Sequence, residues 1–230
     1  MLCYSGISKQ SAETGIPVFI TFEGIEGSGK SLQIARAREY LTNGKGIECL
    51  VTREPGGTDF GLALRSVLLG LHGYRIEPRS ELLLYLADRY QHLKEVIEPA
   101  LERGLVILSD RYQDATRAYQ GTARGIPGVE IEKLNRLLGI IEPDKTILLD
   151  LDPEVGLSRA RSRNLASASA AKEGRFEAEG LEFHKKVREA YLELAAQAPH
   201  RIHLVPASGT PDDVSARIFP LLDRWLASNK

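Results

Sequence analysis

The chain is poor in several features that would mark common protein classes. It has two cysteines in 230 residues, Cys3 and Cys49, at no metal-binding or disulfide spacing. A reducing, cytoplasmic setting is expected, with Cys49 in a strand and Cys3 in a tail. No apolar run approaches the roughly 20 residues that a membrane span needs. The first residues lack a basic stretch followed by an apolar one, so they do not read as a secretory signal. Met1–Gly15 is polar, and residues 1–16 are expected to form a weakly ordered extension. Neither charge sign dominates: 30 Lys and Arg face 31 Asp and Glu, a formal net charge of −1, with a pI near 6.5. That balance argues against a polyanion bound by the whole surface, and no basic stripe with interleaved aromatics marks a nucleic-acid face. A guanine-reading N-K-x-D is absent. Asp59-Phe60-Gly61 spells the DFG of protein kinases, but no H-R-D loop accompanies it.

What the chain does have is organised around Glu23–Ser31, EGIEGSGKS. Gly24, Gly29, Lys30 and Ser31 satisfy G-x-x-x-x-G-K-[ST], a loop that cradles phosphates. The apolar, β-branched run Val18–Phe22 precedes it, and Leu32–Leu41, rich in helix formers, follows. In that context the backbone of Gly24, Ile25, Glu26, Gly27, Ser28 and Gly29 would turn its N–H groups toward the phosphates of ATP at a helix N-terminus. Lys30 would reach the β/γ-phosphates, and Ser31 would ligate Mg²⁺.

Four more apolar runs, Glu48–Thr52, Leu105–Leu108, Thr146–Leu151 and Arg201–Val205, alternate with helical segments. Five such strands imply an α/β fold with a parallel sheet covered on both faces. Helices are expected at Gly29–Thr42, ending at the glycines of Asn43–Gly46; at Arg79–Arg103, bent or ended by Pro99; and at Asp114–Gln120, broken at Gly121. Others follow at Val129–Leu138, Pro153–Arg163, Glu177–Gln197 and Asp212–Leu226. Asn164–Gly174 is an Ala/Ser/Lys stretch without a hydrophobic face and is expected to be mobile. No repeat or linker divides the chain, so residues 17–230 read as one domain.

Ligands bind such sheets outside the carboxyl ends of the strands. Arg53, Asp110 and Asp150–Asp152 fall at those ends and should surround one cleft, with Arg111 beside them. Two phosphate-bearing substrates repel each other, so a transferase needs several fixed cations, and arginine suits phosphate oxygens best. Arg159 and Arg163 are i, i+4 and share a helix face, Arg161 points elsewhere, and Arg175 would close the segment from its far side. A closing segment at about residues 159–176 would exclude water from the transfer.

The phrases FEGIEGSGKS, TREPGGT with LRSVLLG, LLLYLADRYQH, VILSDRYQDATRAYQG and LLDLDPEVGLSRARSR occur in order from Val18 to about Ala198. With them the chain resembles the thymidylate kinases of bacteria. The resemblance implies the P-loop nucleoside-monophosphate kinase fold, ATP- and Mg²⁺-dependent phosphorylation of dTMP to dTDP, and a homodimer. Tyr85 would stack on thymine, Arg89 would bond the base edge, Gln120 would read the base from the other side, and Thr116 would lie close by. Tyr119 would sit beneath the deoxyribose and disfavour a 2′-hydroxyl. Arg53, Arg65 and Arg111 would hold the dTMP phosphate. Glu26 and Glu54 would face the acceptor's sugar and the water shell of the metal, and Asp110 would orient Mg²⁺ through water. Some members carry an arginine in the phosphate loop where this chain has Gly27, so Arg161 and Arg163 are expected to supply that cation, with Arg159 and Arg175 nearby. Two alternatives stay open here: a kinase for another monophosphate, and a nucleotide-binding regulator without catalysis.

Overall fold

The computed structural model describes residues 18–71, 74–166 and 174–227, with the backbone alone at 163–166. The expected extension at residues 1–16 and residues 167–173 of the expected lid lie outside the described residues. In chain order the strands and helices are β1 Val18–Glu23, α1 Lys30–Lys45, β2 Cys49–Arg53, α2 Asp59–Leu69, α3 Pro78–His92, α4 Glu98–Glu102, β3 Val106–Asp110 and α5 Gln113–Thr116. After these come α6 Gly128–Leu137, β4 Lys145–Asp150, α7 Pro153–Ala166, α8 Leu181–Gln197, β5 Ile202–Pro206 and α9 Pro211–Ala227.

The five strands form one sheet in the order β2-β3-β1-β4-β5, every neighbouring pair parallel. Successive strand side chains face opposite layers, and here both layers are apolar. Ile20, Phe22, Val106 and Leu108 join the core with Ile34, Ala37 and Leu41 of α1 and Ile218 and Leu222 of α9. Phe19 and Ile107 point the other way, onto Leu93, Ile97, Ala100 and Tyr112. The register aligns Phe22 with Asp110 and Asp110 with Arg53, so three strand ends reach the same level. A buried ion pair braces the layer beneath: Arg201 donates to both oxygens of Asp114, at 2.7 and 2.9 Å, and to Thr146 Oγ1 at 3.0 Å.

Several helix ends differ from the sequence expectation. α1 runs through Gly44 and stops at Gly46, whose φ of 69° is left-handed and whose N–H bonds Thr42 O at 3.2 Å. The long helix loses its α register in a π turn at Leu93–Ile97, before Pro99. Pro99 is the second residue of α4, directly after that turn, so the α register is already broken where the chain has no N–H to give. The helix after Asp114 crosses Gly121 as a π segment, Arg117–Ala123. Its stop is Gly125, φ 79°, with its N–H on Gly121 O at 2.8 Å. α7 continues past Arg163, and α8 begins four residues later than Glu177. Thr58 caps α2, its Oγ1 accepting the Gly61 N–H at 2.9 Å.

Candidate active site

A cleft of about 520 Å³ opens at the carboxyl ends of β1, β2 and β3. Glu26, Gly27, Gly29, Lys30 and Ser31 line one side, and Arg65, Tyr85, Arg89, Thr116, Tyr119 and Gln120 the other. Arg53, Glu54, Asp110 and Arg111 lie between them, and Phe176 and Glu177 close a third edge. Phosphate-loop and acceptor-side residues thus share one cavity.

The loop owes its shape to backbone approach. A Cβ at Gly27, where φ is 72°, would come within 2.0 Å of Gly156 O in the first turn of α7. A Cβ at Gly156 would in turn lie 2.6 Å from Glu26 O. Bare backbone on both sides is what lets α7 dock on the loop. Lys30 Nζ donates to Gly24 O at 3.0 Å and Ile25 O at 2.9 Å, with Ser28 Oγ at 3.4 Å. Burial and the neighbouring Arg111 guanidinium lower its pKa to about 8. Ser31 Oγ donates to Asp110 Oδ2 at 2.7 Å. That hydroxyl–carboxylate pair is an all-oxygen donor set, which suits a hard cation sharing its ligands with phosphates and water. No cluster of three His, Cys, Asp or Glu exists among the described residues to hold a metal otherwise.

Arg111 is the only non-glycine among the described residues in the left-handed region, φ 72°. Its guanidinium donates to Gly24 O at 3.1 Å, Tyr191 Oη at 3.2 Å, Glu26 Oε1 at 2.7 Å and Tyr119 Oη at 3.0 Å. Tyr119 also donates to Glu26 Oε1 at 2.6 Å, and His184 Nδ1 stands 3.2 Å from Glu26 Oε2. Burial alone would raise the Glu26 pKa; Arg111 and His184 hold it well below the carboxylate range. Beneath Arg111, Glu23 accepts the Tyr112 N–H and the Tyr191 hydroxyl, at 2.8 and 2.7 Å. Burial and the nearby Asp114 push its pKa up to about 7.

On the acceptor side, Arg89 is buried on the Tyr112 ring, 5.1 Å from its centroid. Its Nε donates to Glu54 Oε2 at 2.8 Å and one terminal nitrogen to Tyr112 O at 3.0 Å; the other, Nη1, is buried without a partner. Thr116 Oγ1 is likewise buried and unpartnered. Gln120 Nε2 donates to Glu81 Oε1 at 2.7 Å. Arg65 donates to Pro55 O at 2.9 Å.

Some expected contacts are arranged otherwise. Glu54 has both oxygens engaged, by Arg89 and by His92 Nδ1 at 2.9 Å, so it orients Arg89 instead of presenting a free carboxylate to a sugar. Glu26 differs: Arg111 and Tyr119 both bond its Oε1, while Oε2, 3.2 Å from His184 Nδ1, accepts no hydrogen bond from a described residue. Arg175 does not reach the phosphate loop: it pairs with Glu81 Oε2 at 2.7 Å and also donates to Leu68 O, because its chain passes over the end of α2. Arg159 and Arg161 are exposed on regular α7 and do not line the cleft. The Arg163 side chain lies outside the described residues. Asp150 pairs with Arg188, and Asp152 caps the first turn of α7. Sequence reasoning assigned no role to Glu81, Asp88, His92, Glu23, Tyr191 or His184. The first three share a signal: Glu81, Tyr85, Asp88, Arg89 and His92 follow helical spacing, a polar stripe on a buried face of α3.

A phosphate loop after the central strand of a β2-β3-β1-β4-β5 parallel sheet, with a second, arginine-rich subsite in the same cleft, defines a nucleoside-monophosphate kinase of the P-loop class. The family model described as thymidylate kinase matches residues 22–218. A thymidylate kinase of Nitratidesulfovibrio vulgaris (strain DSM 19637 / Miyazaki F) is 52% identical over 199 residues, 86% of this chain and 92% of its own. One from Solidesulfovibrio magneticus is 47% identical over 210 residues, covering 91% and 100%. The crystal structure of thymidylate kinase from Ehrlichia chaffeensis superposes with a TM-score of 0.71 at 31% identity, over 90% of this chain and 98% of that one. The chain belongs to the thymidylate kinase family; it is a phosphotransferase, and the reaction of that family is ATP-dependent phosphorylation of dTMP to dTDP.

Proposed function

We propose that the cleft carries out this reaction with ATP phosphates on Gly24–Ser31 and dTMP against Tyr85, Arg89, Thr116, Tyr119 and Gln120. The observation that carries the acceptor assignment is Arg89, a fully buried guanidinium in the cavity wall with one nitrogen unpartnered. A buried charge keeps an open hydrogen-bond donor at a cost unless a ligand takes it up. Tyr85 supplies a stacking plane one helical turn away. Arg53, Arg65 and Arg111 hold the acceptor phosphate, and Lys30 with Arg111 faces the transferred group. The acceptor phosphate, with a second pKa near 6, is already a nucleophile at neutral pH, so no general base is needed. Ser31, and Asp110 through water, would hold Mg²⁺, which when bound neutralises charge on the donor phosphates. Residues 17–230 are read as one kinase domain with a lid at about 159–176; Arg161 stands outside the cleft here, so it, with Arg163 of the same segment, would bring cationic charge to the transferred group only on closure.

Lys30→Ala should abolish transfer. A panel of dTMP, dUMP, UMP, CMP, GMP and AMP in a coupled assay of ADP formation should select dTMP; equal turnover of CMP or AMP would remove the assignment. The homodimer is kept as a proposal, supported by exposed Leu62 on α2 and Leu83 and Tyr90 on α3. Sedimentation equilibrium tests it, and a monomer at all concentrations would end it. The cytoplasm is proposed as the compartment, in keeping with Cys49 as a free thiol whose pKa burial raises to about 11.

A further inference from the structure

Gln120 is an amide, and an amide can read a base with either of its two ends. Which end it offers is decided behind it. Its Nε2 donates to Glu81 Oε1 at 2.7 Å, while its Oε1 accepts nothing from a described residue. Gln120 itself is 2% exposed and lines the cleft. A carboxylate only accepts, so the nitrogen of Gln120 must face Glu81 and the oxygen must face away from it. Glu81 is held rigidly enough to impose this. It is fully buried on α3, Arg175 Nη1 sits on its second oxygen at 2.7 Å, and Arg124 Nε stands 3.5 Å from the first. Arg124 is itself paired with Glu179 at 2.6 Å, and Arg175 packs over Phe176, 4.6 Å from the ring centroid.

We infer that Glu81 is a specificity-determining positioning residue: by pinning the Gln120 amide it presents an acceptor oxygen to the base, so that the site selects a pyrimidine with an N3–H and rejects one whose N3 is itself an acceptor. This rests on reading Gln120 as a base contact. In the same cleft, Arg89 offers an unpartnered donor, which matches the O4 of thymine or uracil and repels the amino group of cytosine. The donor–acceptor pair is complementary to one edge and mismatched twice with the other. Glu81 touches no substrate in this scheme. Its effect is on which end of Gln120 is available.

The test is a ratio. Glu81→Gln keeps the shape of the side chain but can donate or accept, so Gln120 is no longer pinned. The kcat/KM preference for dTMP over dCMP should fall by about tenfold or more, while dTMP over dUMP, which share O4 and N3–H, should not change. Glu81→Asp withdraws the carboxylate from Gln120 but keeps a charge for Arg175 and Arg124, and should lower the same ratio if Glu81→Gln does not fold. A merely structural role would depress both acceptors equally and leave the dTMP/dCMP ratio alone, which would overturn the inference. Gln120→Leu separates the two levels. If it leaves the ratio unaltered, Gln120 does not read the base and the underlying reading fails. If it lowers the ratio while both Glu81 variants leave it intact, only the role of Glu81 fails.

Discussion

A carboxyl group in a dry interior can be stabilised as an anion by cations or left neutral, and two glutamates at the end of β1 and in the loop after it do one each. Glu26 is kept ionised by Arg111 and His184, while Glu23, three residues earlier, is pushed from 4.5 up to about 7 by burial and Asp114. The sign of the consequence for Glu23 is definite. Between pH 4.5 and about 7 the folded protein keeps a proton that the unfolded chain has released, so this group's contribution to stability falls as pH rises through that window. Glu23→Gln can still accept the Tyr112 N–H but has no proton to lose. Its unfolding free energy relative to the parent should therefore improve from pH 5 to pH 8, as followed by denaturant titration. Curves that stay parallel over that range would refute it.

The docking of α7 on the phosphate loop is the contact between elements most open to a single change. Alanine is the better helix former by about 1 kcal/mol, so Gly156→Ala in an isolated helix would stabilise. Here the added Cβ meets Glu26 O at 2.6 Å, a backbone atom that no rotamer can move aside. The expected result is a net loss of about 1–3 kcal/mol, seen in calorimetry, together with a lower kcat. A raised melting temperature with unchanged kcat would contradict the contact. At this scale the sequence was unevenly legible. Strands were readable because Val18–Phe22 and Leu105–Leu108 are apolar on both faces. The end of α1 was read at the glycines of Asn43–Gly46, and the second of them, Gly46, is the stop, where the backbone turns left-handed; Gly121 read as a stop because glycine disfavours helix, yet that stop is the left-handed Gly125. The π turns at Leu93–Ile97 and Arg117–Ala123 leave no periodic trace in the sequence. Within the site, Lys30, Ser31 and Arg111 were legible from local motifs. The pairing of Glu81 with Arg175 was not, because it joins residues that only the fold brings together.

Across the whole molecule, one buried ion pair ties the layers of the fold. Arg201 precedes β5, Asp114 opens α5, and Thr146 lies in β4, so their bonds couple three segments distant in sequence. The Asp114 pKa is held down by Arg201 and Arg117 against its burial. Arg201→Met would leave that charge without its bidentate partner, and stability should fall by about 3–5 kcal/mol. Denaturant midpoints read this directly, and a loss under 1 kcal/mol would show the pair to be dispensable. The fold thus places a braced sheet under the cleft at its strand ends. The two glycines where the phosphate loop and α7 meet, Gly27 and Gly156, also bear on ancestry. A side chain at position 27 needs the first turn of α7 to retreat, and a retreated α7 removes the support under the loop. A side chain at position 27 therefore demands a second, coordinated change in α7, and a lineage taking the two one at a time would pass through a poorer enzyme.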